Sequence, residues 1–178
     1  MIGLGIIGAG TIFQHQISAL STKPKRLTVS AVCDSDSTRL AQAKELLART
    51  GASGNVRFCQ SIEELSKRDC DAVLIATPPK THYQIAAVCL KKGISVLLEK
   101  PAVLSANDLL SLYEKASRTR TLLHVAYHAA FAVDLLWWVQ QQARITEQYA
   151  LGSLSEIICG FYVSQLSSVK ITSLLPSL

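Results

Sequence analysis

Four glycines near the start of the chain have a spacing that can bring a polypeptide backbone close to a phosphate group. The stretch from Gly3 to Gly8 matches the pattern G-x-G-x-x-G letter for letter, whereas the overlapping stretch from Gly8 to Phe13 has phenylalanine where the third glycine belongs. Such a loop binds phosphate only when a strand precedes it and a helix begins at it, because the free N–H groups of a helix N-terminus attract an anion.

The surrounding residues favour the imperfect match. Too little chain precedes Gly3 to form a strand, whereas the apolar run Ile2–Ile7 can form a strand that ends at Gly8. The run Thr11–Leu20 that follows is compatible with a helix, so Gly8 and Gly10 are the predicted phosphate glycines. An alternative is that the glycines only permit close packing of strand and helix.

A carboxylate in a suitable place strengthens the choice. Asp34 ends the second predicted strand, about 20 residues beyond the motif, where a carboxylate can bind the ribose hydroxyls of a dinucleotide. Its charge would repel a 2′-phosphate and so favours NAD, although Ser35 and Arg39 nearby keep NADP open as the alternative. Phe13 is the difficulty, because a third glycine lets the helix approach the sheet. Its side chain is expected to turn aside or to push the helix outward.

Two later segments place polar residues directly after predicted strands. Thr77, in the segment ATPPKTH, lies at the sheet edge where a nucleotide would bind, and His82 could contact substrate or simply bond to backbone groups. Glu99, Lys100 and Pro101 follow the next strand, and the proline restricts the backbone of Lys100. A lysine there can donate a hydrogen bond to a substrate oxygen or relay a proton, with Glu99 orienting it. A solvated ion pair would give the same pattern.

Short β-rich runs alternate with helical segments along most of the chain. The predicted strands are Ile2–Ile7, Leu27–Cys33, Val56–Phe58, Ala72–Ala76, Ile94–Leu98 and Leu122–Ala126. The predicted helices are Thr11–Leu20, Thr38–Thr50, a short helix at the capping box Ser61–Glu64, Thr81–Lys92 and Ser105–Thr119. The alternation predicts an α/β fold with a doubly wound parallel sheet and a ligand at the carboxyl ends of its strands.

The pattern changes after Tyr127. Phe131–Gln142 is typical of a helix and Leu154–Tyr162 of a strand, whereas Val163–Leu178 has no clear period. The sequence therefore predicts one domain over residues 1–128 and the incomplete start of a second, α+β domain over 129–178. A strand there without a partner would have an unpaired edge, which predicts either self-association as a homo-oligomer or disorder beyond about residue 150.

The composition excludes several classes of protein. Of the 178 residues, 49% are hydrophobic and 17% are charged, which suits a folded core and argues against wholesale disorder. The net charge of +5 comes from scattered basic residues without interleaved aromatic residues, so no nucleic-acid partner is expected. Five cysteines without a C-x-x-C pair argue against a disulfide framework or a metal site and favour a cytoplasmic protein. No apolar run is long enough to predict a membrane span.

The segments GIIGAG, ATPPKTH and LLEKP, with the strand-ending Asp34 between them, together resemble the Gfo/Idh/MocA oxidoreductase family over roughly residues 1–130. The resemblance implies a Rossmann domain that binds NAD or NADP and the reversible oxidation of a sugar, cyclitol or related polyol. It implies that Lys100 is catalytic, beside substrate and nicotinamide, and that His128 contacts substrate. The residues expected to bind the cofactor are Gly8, Gly10, Thr11, Ile12, Asp34, Thr77, Pro78, His82, Glu99 and Lys100.

The sequence departs from the family's pattern after Tyr162, where the resemblance stops. Family members usually continue into a much longer second domain that supplies an acidic residue and a histidine for proton transfer, and Val163–Leu178 contains neither. The expectation is therefore a truncated oxidoreductase, with a non-catalytic dinucleotide-binding module or sensor as the alternative. A methyltransferase shares the glycines and the strand-end acid but does not predict the Glu-Lys-Pro turn.

Overall fold

Strand and helix alternate through the first of the two units into which the chain divides, Met1–Tyr127 and His128–Leu178. The computed structural model describes residues 1–21, 26–50 and 55–127, together with the backbone of residues 156–159 and 169–172. The elements of the first unit are β1 (Ile2–Ile7), α1 (Thr11–Ser21), β2 (Leu27–Cys33), α2 (Ser37–Thr50), β3 (Arg57–Cys59), a 3₁₀ helix (Ile62–Glu64), β4 (Ala72–Ile75), α3 (Pro79–Lys91), β5 (Ser95–Leu98), α4 (Ala106–Thr119) and β6 (Leu123–Val125).

The six strands of the first unit form one sheet in the order β3-β2-β1-β4-β5-β6, and every neighbouring pair is parallel. The chain starts in the middle of the sheet, runs to one edge and then crosses beyond β1 to build the other half. This is the strand order of the Rossmann fold. The predicted doubly wound α/β fold is confirmed, and the strand order reverses between β1 and β4.

Helices cover both faces of the sheet, and each face has its own apolar core. The core under α1 and α2 contains Leu4, Ile6, Phe13, Ile17 and Leu47. The core under α3 and α4 contains Ile7, Val73, Ile75, Leu90 and Leu112. Because successive side chains of a strand point to opposite faces, β1 contributes to both cores. Burial on both faces explains why the strands are apolar without alternation.

Phe13, which replaces the third glycine of the motif, belongs to the first of these cores. Its side chain is 1% exposed and packs with residues of β1, β2 and α2, including Leu4, Val32 and Leu47. The phenylalanine has therefore turned into the apolar layer between the helices and the sheet, where it is one of the largest fully buried side chains. The layer has room for an aromatic ring at the position where a glycine is expected.

The helices begin and end close to the predicted positions. The capping box of Ser61 and Glu64 is formed, whereas Ser105 is the N-cap of α4 without a capping hydrogen bond from its side chain. Gly93 follows α3 with a φ of +76°, as a glycine that ends a helix does. Within the described part of the chain, no helix is long and apolar enough to cross a membrane.

The second unit contains two antiparallel strands, β7 (Glu156–Cys159) and β8 (Val169–Thr172), paired from Glu156 with Thr172 to Cys159 with Val169. β7 lies inside the predicted strand Leu154–Tyr162. β8 lies within Val163–Leu178, where the sequence showed no clear period and no strand was predicted. The alternation of apolar and polar residues in β8 lasts for only four residues, which is too short to stand out from a region rich in serine and leucine.

A buried hydroxyl in β2 provides a test of this packing. Ser30 Oγ is buried and has no hydrogen-bond partner among the described residues. Because a buried unpaired hydroxyl opposes folding, we expect Ser30→Ala to leave the free energy of unfolding unchanged or to raise it by up to about 1 kcal/mol. Ser95→Ala is the matched control, since Ser95 Oγ accepts a hydrogen bond from Leu122 N (3.2 Å), and it should lower the free energy by about 1 kcal/mol. Urea titration measures both, and a large loss for Ser30→Ala would contradict the assignment.

Candidate functional site

A cleft opens at the carboxyl end of the sheet, where the strand order reverses. The strands remain hydrogen-bonded one residue beyond their ends: Gly8 N donates to Cys33 O (2.8 Å), and Ala76 N donates to Ile7 O (2.8 Å). The cleft has a volume of about 460 Å³. Among the residues predicted to bind a cofactor, its walls include Gly8, Gly10, Asp34, Thr77 and Pro78. Three strand ends that are far apart in sequence thus meet in one place, as the topology requires.

Gly8 has a backbone that no other residue could adopt here without strain. Its φ is +99°, and a Cβ atom built on it would lie 2.8 Å from Ala76 O and 3.0 Å from Thr77 N. Both neighbours are backbone atoms and cannot rotate away. The end of β1 therefore passes in direct contact with the end of β4, and this contact requires glycine.

Gly10 differs, because a Cβ atom built on it would meet nothing within 4 Å. The protein itself therefore does not require glycine at this position, yet Gly10 lines the cleft. α1 begins at Thr11, has no acidic residue in its first turn and leaves Ile12 41% exposed. The first N–H groups of a helix have no acceptor within the helix and attract anions. An open position without a side chain beside such a helix start fits a pyrophosphate group.

Asp34 joins the glycine loop to the end of β2. Its side chain is buried, and Oδ2 accepts a hydrogen bond from Ala9 N (2.7 Å) while Oδ1 accepts one from Asp36 N (2.9 Å). Each carboxylate oxygen has a second acceptor position, so both can still accept from the hydroxyls of a ribose. The geometry fits the predicted ribose ligand and adds a role that the sequence did not indicate, which is to hold the glycine loop.

The two residues that kept NADP open lie in the cleft wall beside Asp34. Ser35 and Arg39 both line the cleft, and Arg39 Nε is 3.6 Å from Asp36 Oδ2. Both side chains of this pair are about half exposed, at 55% and 47%, so solvent weakens the attraction between them. The preference for NAD over NADP depends on the carboxylate of Asp34 and stays a prediction.

The buried thiol of Cys33 forms an apolar part of the cleft wall. Burial, more than the neighbouring Cys59 and Asp34, raises the pKa of Cys33 far above its usual range. Burial also raises the pKa of Cys59, the residue of β3 that lies opposite Cys33 of β2 in the register of the sheet. Both groups are therefore neutral thiols that add no charge to the cleft.

Thr77 and Pro78 lead from β4 into α3 and line the cleft as predicted. Pro78 is the N-cap residue of α3. Thr81 Oγ1 lies 2.8 Å from Thr77 Oγ1 and 2.7 Å from Pro78 O, to which it donates. This turn is therefore fixed by its own hydroxyl groups and by a proline at the first position of the helix.

His82 lies behind the cleft wall. It is 1% exposed, with Nε2 2.8 Å from Thr77 O and Nδ1 3.0 Å from Pro101 O and 3.1 Å from Ala102 O. A ring nitrogen that carries a proton donates to these carbonyl oxygens. The structure therefore gives His82 the backbone-bonding role that the sequence offered as the alternative, and its ring lies between the turn after β4 and the turn after β5, with carbonyl oxygens of both turns within hydrogen-bond distance. Direct contact between His82 and a cofactor stays a prediction that this burial does not favour.

Glu99 and Lys100 follow β5, the strand next to β4. Glu99 is 6% exposed and its Oε2 accepts a hydrogen bond from Lys100 N (3.2 Å), whereas the side chain of Lys100 is exposed. The peptide bond between Lys100 and Pro101 is cis. Within the described residues the two side chains form no ion pair with each other, so they are not the solvated pair that was the alternative. His128, the other predicted substrate contact, lies outside the described residues.

The third wall of the cleft was not predicted from the sequence. Gln60, Ser61 and Ile62 line it, because β3 ends at the same edge as β1 and β2. Gln60 Nε2 donates to Ser35 O (3.4 Å), which joins this wall to the end of β2. The capping box at Ser61 identified the short helix, but nothing in the spacing of these residues indicated that they face a ligand.

The family model for Gfo/Idh/MocA, described as an oxidoreductase family with an NAD-binding Rossmann fold, matches residues 2–127. An inositol 2-dehydrogenase of Rhodococcus erythropolis is 30% identical over 132 residues, which are 74% of this chain and 35% of that protein. A D-glucoside 3-dehydrogenase of Escherichia coli is 29% identical over 154 residues, which are 86% of this chain and 40% of that protein. The chain thus spans well under half the length of these two curated relatives.

A solved structure has the same fold. The scyllo-inositol dehydrogenase of Lactobacillus casei, with bound NAD(H) and scyllo-inositol, superimposes with a TM-score of 0.67 at 21% sequence identity. The superposition covers 87% of this chain and 43% of that one. At this identity the likeness establishes the fold, which agrees with the parallel six-stranded sheet described above.

The contrast between Gly8 and Gly10 gives a paired test of the cleft. Gly8→Ala should lower the free energy of unfolding by roughly 2 kcal/mol, because the new methyl group meets backbone and the φ is unfavourable. Gly10→Ala should change it by less than about 1 kcal/mol, yet weaken NADH binding at least about tenfold by filling the open position. Urea titration and NADH fluorescence titration separate the two effects. Unchanged NADH affinity in Gly10→Ala would show that phosphate does not approach at this position.

Proposed function

This chain belongs to the Gfo/Idh/MocA oxidoreductase family, and from that membership we propose that its first unit is the cofactor-binding half of an NAD(P)-dependent dehydrogenase of sugars, cyclitols or related polyols. One observation carries the proposal: an open glycine position, Gly10, lies in a cleft at the N-terminus of α1 with the carboxylate of Asp34 on the adjoining wall. A positive helix end beside a carboxylate suits a ligand that has both phosphates and ribose hydroxyls.

Different residues of the first unit are assigned to different parts of the cofactor. We assign the N–H groups at the start of α1, with Thr11 and Ile12, to the pyrophosphate, and Gly10 leaves room for it. Asp34 accepts hydrogen bonds from the adenosine ribose, which favours NAD over NADP. Thr77 and Pro78 lie on the far side of the switch point, toward β5, and are assigned to the nicotinamide half. When bound, the cofactor supplies the hydride acceptor.

Lys100 is the residue that we assign to the substrate. It follows β5, which pairs with β4 from Ala72 with Ser95 to Ile75 with Leu98, so its backbone lies one strand away from the cleft wall. Its exposed Nζ can donate a hydrogen bond to a substrate oxygen and stabilise the negative charge that develops there as the hydroxyl proton passes to solvent water. Glu99 accepts from the backbone N–H of Lys100 and so holds the peptide from which this side chain extends.

The substrate class rests on the relatives, which are named as dehydrogenases of inositol and of D-glucosides. Both substrates present secondary hydroxyl groups on a six-membered ring. The proposal therefore covers cyclic polyols and sugars as a class, with His128 assigned to the substrate alongside Lys100.

The proposal includes a cytoplasmic location and self-association. Cys33, Cys59, Cys70 and Cys89 are buried free thiols, which suits a reducing compartment. In the second unit, β7 and β8 have no further strand partner among the described residues, and a strand edge of this kind can pair with a second copy of the chain. Light scattering of the full chain tests for such a homo-oligomer.

Reduction of NAD by the full chain with a panel of inositols and sugars tests the proposed activity. We expect turnover with at least one cyclic polyol, and Lys100→Ala should lower kcat/KM by about 100-fold, since the charge on the substrate oxygen loses its donor. The affinity for NADH should fall much less than kcat/KM. Lys44→Ala, which removes an exposed lysine of α2, is the matched control and should leave kcat/KM unchanged.

The outcomes separate the enzyme from its alternative. NADH binding without turnover on any polyol would identify a non-catalytic dinucleotide-binding module instead of a dehydrogenase. Turnover that is equal in Lys100→Ala and Lys44→Ala would remove Lys100 from the mechanism while leaving the oxidoreductase activity in place.

A further inference from the structure

Lys92 lies just beyond α3, at the end of that helix far from the cleft, and its ammonium group is fully engaged. Nζ donates to Ile62 O (3.0 Å), Glu63 O (2.8 Å) and Leu65 O (2.9 Å). An ammonium group has three N–H donors, so each of them has a carbonyl acceptor. The same Nζ is 3.5 Å from the carboxylate of Glu63, and the Lys92 side chain is 24% exposed. Lys92 therefore binds the carbonyl end of the 3₁₀ helix.

That helix is held at both ends, and its N-terminal end forms the third wall of the cleft. At this end Glu64 Oε1 accepts hydrogen bonds from Gln60 N (3.2 Å) and Ser61 N (3.0 Å). Gln60, Ser61 and Ile62 face the cleft. A helix of three residues has little stability of its own, because so short a segment fixes many backbone angles for few hydrogen bonds. The wall therefore keeps its shape through Glu64 on one side and Lys92 on the other.

We propose that Lys92 is a positioning residue for the adenosine end of the cofactor site, acting through the 3₁₀ helix without facing the cleft itself. The inference rests on the proposed function for the identity of the ligand. The wall follows β3, and Gln60 is bonded to Ser35, the residue after the ribose ligand Asp34. β3 and β2 lie on the adenosine side of the switch point, whereas Lys100 follows β5 on the other side. A change at Lys92 that displaces the 3₁₀ helix is therefore expected to weaken contacts with the adenosine half of the cofactor.

The experiment compares Lys92→Met with Lys91→Met in the full chain. The methionine keeps most of the apolar stem and removes the three donors, while Lys91 is an exposed lysine at the last position of α3. We expect Lys92→Met to weaken the binding of NADH and of ADP-ribose about tenfold, and by equal factors, because the lost charge-assisted hydrogen bonds loosen a wall that contacts only the adenosine half. Lys91→Met should bind both ligands as the wild-type chain does. Calorimetric titration gives the two dissociation constants.

Three results would overturn the inference about Lys92 while leaving the proposed function in place. The first is wild-type affinity in a folded Lys92→Met, and the second is a loss for NADH without an equal loss for ADP-ribose. Should Lys92→Met not fold, hydrogen exchange on the wild-type chain decides: ADP-ribose should slow amide exchange across residues 60–65, and unchanged exchange there is the third contrary result. Failure of the wild-type chain to bind either ligand overturns the proposed function together with this inference. Binding by the wild-type chain with equal affinities in the two variants removes only the role of Lys92.

Discussion

The contact between the backbone at Gly8 and the backbone at Ala76 and Thr77 is the constraint on which the rest of the cleft depends. It brings the end of β1 against the end of β4 at the point where the sheet changes direction. Because Gly8 has a positive φ, the chain turns there out of the strand and reaches the first turn of α1 within three residues. Any side chain at this position would separate the two halves of the sheet at the edge where they must meet.

The carboxylate of Asp34 completes the same arrangement from the other side. By accepting the N–H of Ala9, it fixes the residue between Gly8 and Gly10. It also adds a negative charge close to the positive N-terminus of α1. A phosphate needs a positive partner, and ribose hydroxyls need an acceptor. The hydrogen bond of 2.7 Å between Ala9 N and Asp34 Oδ2 holds the acceptor carboxylate close to the positive N-terminus of α1. The carboxylate of Asp34 thus fixes the glycine loop and also faces the proposed ribose.

The cleft is shaped by polar side chains that lie behind its walls as well as by the residues that line it. His82 lies between the turn after β4 and the turn after β5, and Lys92 holds the helix after β3. Lys92 Nζ donates to three backbone carbonyl oxygens, and the ring nitrogens of His82 lie within hydrogen-bond distance of carbonyl oxygens in both turns. For His82, which is 1% exposed, such a bond is costly to lose, because a buried acceptor is then left unpaired. The turns are therefore rigid although they lie at the open edge of the sheet.

The sequence predicted the parts of the molecule that follow from period and spacing, and it missed those that depend on distant partners. Strands buried on both faces are continuous apolar runs, so β1 and β2 were predicted to the residue. Asp34 was found because its distance from the glycines is set by one strand–helix–strand unit. The residues after β3 were not assigned to the site, because only the sheet order places that strand end beside β2. Lys92 gave no signal either, since its acceptors are about 30 residues away in the chain.

The choice between the two overlapping glycine motifs shows why a pattern must be interpreted with its surroundings. Gly3 and Gly5 lie inside β1, where their missing side chains leave room for Ser30 and Val73, and neither has a positive φ. The exact match is therefore a strand that packs closely against its neighbours. In the imperfect match, Phe13 lies inside α1 and its side chain belongs to the core between that helix and the sheet. Glycine is therefore needed only at the turn before the helix, at Gly8. A letter that breaks the pattern outside the turn does not disturb the backbone that the pattern describes.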